Sequence, residues 1–373
     1  MSRNGPFSLY EFFAGGGMAR LGLGEHWGCL FANDFDPVKA AVYRDNFGDA
    51  HMREGDVWAL TSSDLPGRAD LAWASSPCQD FSLAGARAGL TGGKSSAFFG
   101  FWRLIEALDD EARAPRALVI ENVSGLMTSH GGTDFAALTE ALSSRGYRFG
   151  ALEIDAAAFL PQSRPRVFII ATREAVPANL IGPSPFHTRA VRAAFSHLSM
   201  EQRSHWLWWR LAAPPLRNQT LAALLEPDAA VDWRTPEQTG KLLGLMNPTH
   251  YDRLKTAAAK GRAVGAVFRR MRGGDQRAEA RFDGLAGCLR TPAGGSSRQT
   301  LVVAEGDEVR SRLLTGREGA RLMGLPDSYR LPASQTAALQ VVGDGVAVPV
   351  VRWLAEHLLE PLLGEADRKP AAA

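Results

Sequence analysis

Cysteine is scarce in this sequence of 373 residues: the chain holds three, Cys29, Cys78 and Cys288. They lie far apart and are odd in number, which argues against a disulfide framework and favours a reducing compartment. No two of them form a CxxC pair, so we expect no structural zinc site and no bound metal. The scarcity raises the question of what an individual cysteine does.

Long apolar runs are also missing. No run of 18 apolar residues occurs, so we expect no membrane-spanning helix and no membrane partner. The N-terminal sequence MSRNGPFSLYEFF lacks the apolar core and small-residue cleavage site of a secretory signal. The length predicts two domains, or one large domain with an insertion, and we expect the chain in the cytoplasm.

A strong net charge is absent as well, since the formal charge is only +2. The charges are nevertheless unevenly distributed. Residues 185–300 carry 18 Lys and Arg against 9 Asp and Glu, whereas the rest of the chain carries 24 against 31. A basic segment in a near-neutral protein indicates a localised face for a polyanion, although a solvated arginine-rich surface would have the same composition.

Segments of strand and helix character alternate from residue 8 to residue 175. The strand-like runs are SLYEFF, CLFAND, DLAWAS, RALVIEN and RVFIIAT. Amphipathic stretches such as SSAFFGFWRLIEAL lie between them, and this alternation predicts an α/β fold with a parallel sheet covered by helices on both faces. After about Thr172 prolines, glycines and arginines become frequent and the alternation stops, which predicts a second, irregular domain.

Three segments at predicted strand ends favour a nucleoside site. FFAGGG (12–17) places glycines between a strand and a helix, where the backbone can approach a ligand and helix N–H groups are free. ANDFD (32–36) and GDV (55–57) place acids at the ends of the next two strands, and an acid about 20 residues after a glycine turn can accept hydrogen bonds from a ribose. A nicotinamide cofactor and S-adenosylmethionine both fit such a site.

Chemically reactive side chains accompany three further strands. Cys78, in SSPCQ, occupies a polar, proline-bounded turn after DLAWAS, which favours a nucleophile over an inert core thiol. Glu121 ends the apolar run in VIENV, where it is either a solvated loop acid or a catalytic acid with a raised pKa. Arg164 and Arg166 precede the strand in QSRPRVFII, and with Pro165 between them we expect both side chains to project to one side.

Four of these segments contain FAGGG, PCQ, ENV and QSRPRVFII, and a fifth segment, GDGVAVPVV (343–351), follows near the C-terminus. The five occur in the order found in the DNA cytosine-5 methyltransferases, and the chain resembles that family, in its bacterial and phage modification type, from about residue 8 to about 364. The resemblance implies an α/β fold, a Rossmann-like S-adenosylmethionine-dependent methyltransferase sheet with a smaller irregular target-recognition domain. It implies a catalytic and cofactor-binding domain at 1–184, a DNA-binding recognition domain at 185–310, and a C-terminal segment at 311–373 that packs the small domain and returns to the catalytic one.

Catalytic roles also follow from the resemblance. Cys78 would add as a thiolate to C6 of a cytosine flipped out of double-stranded DNA, which makes C5 nucleophilic. Glu121 would supply a proton at N3, and Arg166 would bind the O2 oxygen and orient Glu121. Arg164 would contact the same region or a phosphate.

For S-adenosyl-L-methionine, which leaves as S-adenosyl-L-homocysteine, the resemblance implies a pocket at the glycine turn. Phe13 and the turn would hold the methionine part, Asp34 would bind the ribose hydroxyls, and Phe35 would stack on the adenine. The other residues assigned to the pocket are Ala14, Gly15, Gly17, Asp56, Val57, Pro77, Asp344 and Val346. The chain departs here from the family pattern, which usually has asparagine at position 344 and often glutamate at position 34.

The basic segment becomes the expected DNA-binding surface, because arginine binds both guanine edges and phosphates. The segment 79–96 resembles the family's mobile loop, which closes over the flipped base. The expected DNA-binding residues are Gln79, Ser82, Arg269, Arg270, Arg272, Arg277, Arg281, Arg290 and Arg298. HWLWWR (205–210) is expected in the core of the small domain, and Arg317 and Glu318 in TGREGARLMGLP are expected to have structural roles.

We expect a monomer that acts on double-stranded DNA. We also expect that a cognate restriction endonuclease accompanies it and acts separately. Three alternatives stay open: a tRNA cytosine-5 methyltransferase on the same framework, a catalytically silent DNA-binding homologue and, more remotely, a nicotinamide-dependent oxidoreductase. The sequence identifies neither the DNA target nor the base that removes the C5 proton.

Overall fold

Two compact units make up the structure, a computed structural model that describes residues 6–77, 97–290 and 298–364. The first unit takes its described residues from the ranges Met1–Asp155, Pro165–Pro215 and Val346–Ala373. The second takes them from Ala156–Arg164 and Leu216–Gly345. Each unit is therefore assembled from segments that are distant in sequence.

A seven-stranded sheet forms the centre of the first unit. Its strands are β1 Phe7–Phe12, β2 Trp27–Asp34, β3 Met52–Glu54, β4 Leu71–Ala74, β5 Ala117–Val123, β6 Arg148–Asp155 and β7 Pro165–Thr172. Their spatial order is β3-β2-β1-β4-β5-β7-β6. The chain order reverses between β1 and β4, and a reversal of this kind opens a crevice at the carboxyl ends of the strands.

The sheet is parallel with one exception. β1, β2, β3, β4 and β5 pair in parallel, but β7 pairs antiparallel with both β5 and β6. The expectation of an all-parallel sheet is therefore wrong at this edge. β6 was not predicted, because its sequence RFGALEID mixes charged residues and a glycine into a short apolar pattern.

Helices accompany this sheet in the first unit. They are Met18–Leu23, Pro37–Phe47, Ala97–Asp110, Thr133–Ser144, Arg189–His197, Met200–Ser204, Val348–Leu354 and Glu360–Gly364. The second begins with Pro37 at its first position, and Asp36 caps it by accepting hydrogen bonds from two backbone N–H groups. Gly146, after the helix Thr133–Ser144, adopts the left-handed φ of 74° that favours glycine at a helix end.

Aromatic packing fixes the strands near their carboxyl ends. The ring of Phe12, on β1, lies 5.6 Å from the ring of Phe31 on β2 and 5.0 Å from that of Phe101 on the helix Ala97–Asp110. All three side chains are fully or almost fully buried. Burial of one such side chain stabilises a fold by about 1.5–3 kcal/mol. This packing therefore fixes the ends of β1 and β2, from which the following residues extend.

The tryptophan cluster HWLWWR lies in the core of the first unit. Trp206 pairs with Phe149 on β6, with their ring centroids 5.8 Å apart, and Trp209 is fully buried and donates from Nε1 to the backbone oxygen of Ile170. Gly150 permits this approach, because a Cβ there would lie 1.9 Å from the Leu207 oxygen. The expectation that this cluster fills the small domain is wrong, although its buried character was correctly predicted.

A four-stranded antiparallel sheet organises the second unit. Its strands are β8 Ala263–Arg272, β9 Asp275–Arg281, β10 Thr300–Glu305 and β11 Glu308–Leu313, in the order β11-β10-β8-β9. The helices of this unit are Pro236–Gly244, Pro248–Ala258, Gly316–Leu322 and Gln335–Asp344. Leu242, Leu254, Val267 and Val302 contribute to one core between the first two of these helices and the sheet. This segment is more regular than the sequence indicated.

A buried ion pair anchors the helix Gly316–Leu322. Arg312 and Glu318 are almost completely buried and form a bidentate pair with N···O distances of 2.6 and 2.7 Å. The Glu318 carboxylate also accepts a hydrogen bond from the backbone N–H of Thr315. In return, the Thr315 side chain accepts a hydrogen bond from the backbone N–H of Glu318 and so caps the helix. Removal of one partner from such a pair costs about 3–5 kcal/mol. These contacts agree with the structural role expected for Glu318, and Arg317 donates to the Tyr329 oxygen at 3.0 Å.

The division of the chain differs from the expected boundaries. Residues 185–215 were assigned to the recognition domain, yet Trp206 and Trp209 form bridges to Phe149 and Ile181 of the first unit. The second unit continues beyond residue 310 because β11 pairs along its whole length with β10. The functional roles of the two units stay a proposal.

Residues Gln335–Gly364 form the one helical stretch of the described chain that is long and apolar enough to cross a membrane, by length and composition only. Within its most apolar window 56% is buried inside the protein. The core helix of a soluble protein meets the same criteria, so the stretch is weak evidence for a membrane span.

Candidate active site

The carboxyl ends of β1, β2, β3, β4 and β5 carry most of the residues singled out in the sequence. Because parallel strands end at the same edge of a sheet, the segments that follow them are neighbours. The glycine turn follows β1, Asp34 ends β2, Asp56 follows β3, and Glu121 lies near the end of β5.

The glycine turn after β1 requires its glycines. Gly15 and Gly17 have φ values of 55° and 80°, in the left-handed region that glycine tolerates. A Cβ on Gly17 would also lie 2.4 Å from the ring of Phe47. Phe13 adopts a φ of 55°, which is rare for a bulky residue, and Ala14 donates its N–H to the Asn33 oxygen at 2.9 Å. The turn therefore brings a stretch of bare backbone to the edge of the sheet.

Asp34 ties this turn to β2. Its Oδ2 accepts from the Gly15 N–H at 2.8 Å, and its Oδ1 accepts from the Asp36 N–H at 2.9 Å. Burial raises the pKa of this carboxyl, although the two backbone N–H groups act in the opposite direction. Each carboxylate oxygen has two lone pairs, so one remains on each oxygen to accept a hydroxyl of a ribose.

An exposed aromatic ring lies beside this carboxylate. Phe35 is 70% exposed, which is unusual for a large apolar side chain and leaves a free face on which a flat ring could stack. Val57 is buried, and Asp56 is exposed and caps the following turn by accepting from the Trp58 N–H at 3.0 Å. The predicted cofactor residues thus lie at the ends of two adjacent strands. Asp34 and Phe35 are at the end of β2, and Asp56 and Val57 follow β3.

Asn33 joins those two strand ends, and the sequence analysis missed it. Its buried Nδ2 donates to the backbone oxygens of Arg53 and Gly55, both at 2.9 Å. The amide therefore holds the segment before Asp56 in place. The only signal in the sequence was its position within ANDFD, between an apolar strand and two acids.

A buried amide connects β5 to the segment before the predicted nucleophile. Asn122 is buried, and its Nδ2 donates to the Ser76 backbone oxygen at 3.0 Å and to Ser76 Oγ at 3.2 Å. Ser76 is followed by Pro77, which is exposed, and then by Cys78, which lies outside the described residues. The end of β5 and the start of this turn are therefore held together.

Glu121 and Arg166 form an ion pair at the same end of β5. Arg166 Nε lies 3.2 Å from Glu121 Oε1, and their side chains are 15% and 7% exposed. Antiparallel pairing of β5 with β7 sets this contact, because Arg166 stands opposite Val123, two residues beyond Glu121. A partly buried guanidinium therefore holds this carboxylate at the edge of the sheet.

Arg164 takes a different position from the one expected. It is almost fully buried in the second unit, where it donates to the backbone oxygens of Leu289, Gly343 and Gly345 at 2.9, 2.8 and 2.6 Å. These three contacts lie in the second unit, whereas Arg166 lies on β7 of the first. The substrate contact expected for Arg164 stays a prediction.

Asp344 and Val346 belong to different units. Asp344 is exposed at the end of the helix Gln335–Asp344 in the second unit, and Val346 is buried in the first. Their contacts with the cofactor stay predictions.

A buried carboxyl beneath the glycine turn is a further residue that the sequence analysis did not single out. Glu11, on β1, is almost fully buried, and burial raises its pKa to about 7. Its Oε1 accepts from the Arg20 N–H at 3.2 Å, and the Arg20 guanidinium donates to the Tyr43 hydroxyl at 2.9 Å. Glu11 thereby links β1 to the helix that follows the turn.

The arginines of the predicted DNA-binding surface fall mainly on one hairpin. Residues 269, 270, 272, 277 and 281 all lie on β8 or β9 of the second unit. Arg290 is exposed and Arg298 donates to the Leu314 oxygen at 3.3 Å. Gln79 and Ser82 lie outside the described residues.

The chain is similar to known proteins over most of its length. The family model of C-5 cytosine-specific DNA methylases matches residues 7–360. The chain is 26% identical to type II methyltransferase M.NgoBI of Neisseria gonorrhoeae, over 92% of this chain and 90% of that protein. It is also 26% identical to type II methyltransferase M.HhaI of Haemophilus parahaemolyticus, over 93% of each.

Solved structures share the fold. The S. pombe Dnmt2 methyltransferase superposes with a TM-score of 0.63 at 19% identity, covering 95% of this chain and 99% of that chain. A DNA modification methyltransferase encoded within an E. coli prophage, described as putative, gives 0.57 at 17% identity, with coverage of 96% and 99%.

The donor set at the sheet edge fits the family's cofactor. The glycine turn offers backbone to an amino-acid moiety, Asp34 retains acceptor capacity for a ribose, and the free face of Phe35 suits an adenine. The family model spans most of the chain. The protein therefore belongs to the C-5 cytosine-specific DNA methylase family, and it is a cytosine-5 methyltransferase that uses S-adenosyl-L-methionine.

Proposed function

We propose that this enzyme methylates C5 of a cytosine flipped out of a specific double-stranded DNA sequence, through a covalent bond between Cys78 and C6. The observation that carries the proposal is the Glu121–Arg166 ion pair of 3.2 Å beside Asn122, which is bonded to Ser76 two residues before Cys78. An acid and its cation thus lie at the end of β5, which is hydrogen-bonded to the residue two positions before Cys78 in sequence.

Cytosine C5 is a weak nucleophile, so the ring must first be activated. Addition of the Cys78 thiolate to C6 moves electron density toward N3, where Glu121 would supply a proton. Arg166 would bind O2 and keep the Glu121 carboxyl oriented. S-adenosyl-L-methionine supplies an electrophilic methyl group. Loss of the C5 proton then allows the thiolate to leave and restores the aromatic ring.

The base must leave the DNA helix before Cys78 can reach it, and extrusion costs a few kcal/mol. The segment 79–96, outside the described residues, is proposed to close on the flipped cytosine and to contact DNA through Gln79 and Ser82. The second unit is proposed to recognise the sequence, with the first unit providing catalysis.

The type II relatives support a modification role. Their names, including M.NgoBI and M.HhaI, support double-stranded DNA as the substrate and a separate restriction endonuclease as the companion enzyme. We propose a monomer that acts on the DNA of the bacterial cytoplasm.

Methyl transfer to defined nucleic acids tests the proposal. The wild-type chain should transfer labelled methyl groups to double-stranded DNA, and tRNA serves as the alternative substrate. Cys78→Ser should abolish transfer, whereas the matched control Cys288→Ser should retain it. DNA that contains 5-fluorocytosine should form a stable adduct with the wild-type chain, because fluorine at C5 cannot leave as a proton does. Transfer to tRNA alone, or full activity of Cys78→Ser, would contradict the proposal.

A further inference from the structure

The hairpin of β8 and β9 ends in a tight two-residue turn. Arg272 stands opposite Asp275, and Gly273 and Gly274 between them have φ values of 59° and 88°. Two consecutive positive φ values suit the right-handed twist of a hairpin, and glycine supplies them without strain. The tip is therefore narrow and carries no side chain at its turn.

This tip extends beyond the rest of its sheet. β10 pairs with β8 only from Ala263 to Val267, although β8 continues to Arg272. On the other side, the last bridge to β9 is that of Met246 with Ala278. Among the described residues, no third strand therefore pairs with the part of the hairpin at Arg270–Arg277, where β8 and β9 pair only with each other. We call Arg270–Arg277 the projecting ribbon.

Two arginines face each other on one side of the projecting ribbon. Arg270 stands directly opposite Arg277, and their side chains are 51% and 49% exposed. Like charges directly opposite each other destabilise a hairpin. Each has a carboxylate partner: Arg270 Nε lies 3.3 Å from Glu279, and Arg277 Nη2 lies 2.9 Å from Asp275. The acids offset the repulsion at a site where stability alone would not place two arginines.

The other side of the projecting ribbon is also exposed. Met271 and Gln276 stand opposite each other there, Met271 is 64% exposed, and Gln276 is exposed too. Successive residues of a strand point to opposite faces, so the ribbon presents arginines on one face and a glutamine with a methionine on the other. An isolated two-stranded ribbon has little stability of its own. The exposed side chain of Met271 does not add the apolar burial that would stabilise it.

We propose that the projecting ribbon enters the major groove of the target DNA and reads base edges with Arg270, Arg277 and Gln276. This inference rests on the proposed DNA-methylating function and names its specificity-determining residues. The major groove admits a two-stranded ribbon, arginine binds guanine O6 and N7 with two hydrogen bonds, and glutamine binds adenine N6 and N7 likewise. Phosphate contact alone would not require the glutamine or the narrow tip.

The carboxylate partners affect how the projecting ribbon can bind DNA. An arginine paired with Asp275 or Glu279 must exchange that partner for DNA. Both carboxylates also repel phosphate oxygens, so the pairs lower affinity for DNA of any sequence. A target sequence offsets this cost where its base edges add hydrogen bonds.

The experiment begins with bisulfite sequencing of plasmid DNA from cells that express the wild-type chain, which gives the target. Binding is then measured for the target duplex, for each single base-pair substitution, and for duplexes with 7-deazaguanine, which lacks the N7 acceptor in the major groove. The variants are Arg270→Ala, Arg277→Ala, Gln276→Ala and the charge-retaining Arg270→Lys and Arg277→Lys. Arg253→Ala is the matched control, an exposed arginine of the helix Pro248–Ala258.

Each alanine variant should lose about 5- to 150-fold of its preference for the target base over the substituted base at one base pair. Its preferences at the other base pairs should stay unchanged. The 7-deazaguanine substitution that weakens wild-type binding should not weaken the matching arginine variant further. The lysine variants should recover no more than part of the discrimination, because an ammonium keeps the charge but lacks the planar fork of donors of a guanidinium. Arg253→Ala should keep the wild-type profile.

Ribbon variants that melt like the wild-type chain but keep all its base preferences would overturn the inference. A variant whose affinity falls equally for all sequences would also overturn it, if the slope of the salt dependence of binding decreases by about one unit, as loss of a phosphate contact predicts. A wild-type chain that methylates no DNA would instead refute the proposed function, so the two failures are distinguishable.

Discussion

Arg166 pairs with Glu121, with a distance of 3.2 Å between Nε and Oε1. The pair exists because β7 runs antiparallel to β5, which brings Arg166 opposite Val123. Arg164, two residues earlier in sequence, donates to three backbone carbonyls of the second unit. Because these carbonyls differ from the carboxylate that Arg166 contacts, we expect variants of the two arginines to fail in different ways.

Glu121→Gln should lower the rate of methyl transfer by about 10²- to 10⁴-fold, because an amide cannot supply the proton at N3. Single-turnover transfer to duplex DNA measures this rate, and the melting temperature should stay near that of the wild-type chain. Glu25→Gln, at an exposed carboxylate, is the matched control and should leave the rate unchanged. An unchanged rate in Glu121→Gln would remove this carboxyl from the mechanism.

Arg164→Ala should reduce the free energy of unfolding by about 3 kcal/mol or more, because it leaves three buried carbonyl oxygens without their donor. Arg166→Ala should lose activity with a much smaller loss of stability, because the Arg166 side chain is 15% exposed whereas Arg164 is almost fully buried. Urea denaturation of both variants checks the contrast. Equal stability losses in the two variants would contradict the separate roles assigned here.

Asp34→Ala should weaken equilibrium binding of S-adenosyl-L-methionine by about 10- to 100-fold, because it removes a charged acceptor and frees the Gly15 N–H of the glycine turn. Titration calorimetry measures the affinity in the absence of DNA. Asp49→Ala, at a carboxylate whose side chain is 81% exposed, serves as the control and should bind normally. Equal affinity in both variants would exclude Asp34 from the pocket.

Stability should fall as pH rises toward neutrality because of Glu11. Burial raises its folded-state pKa from 4.5 to about 7, so the folded chain binds a proton that the unfolded chain has released. The stabilisation is complete below about pH 4.5 and is lost as pH rises through about 7. A shift of this size corresponds to about 3 kcal/mol.

Glu11→Gln, which cannot ionise, should flatten this dependence. Urea denaturation at about pH 5.5 and about pH 8 compares the two chains. Arg20, Tyr43 and Asp34 face the same carboxyl and stay unchanged in the variant, so they provide a common background. Parallel stability profiles for the wild-type chain and Glu11→Gln would show that Glu11 does not titrate in this range.

Much of the site was predictable from short segments. The order of FAGGG, ENV and QSRPRVFII predicted the family that the comparisons confirm. The glycine turn and the acids after β2 and β3 were predictable because parallel strands end at one edge, so sequence position after a strand implies spatial proximity. Asn33, Asn122 and Glu11 were not singled out, since a buried polar side chain shows its purpose only through partners distant in sequence.

The sequence by itself determined the family, the cofactor and the run of strands and helices that carries them, because these depend on local patterns and on short motifs in order. Only the tertiary structure decided that β7 runs antiparallel, that HWLWWR packs against β6, and that Arg164 and Arg166 have different partners. Each of these depends on residues far apart in the chain. Long-range pairing is set by packing and hydrogen bonding, which local sequence periodicity does not encode.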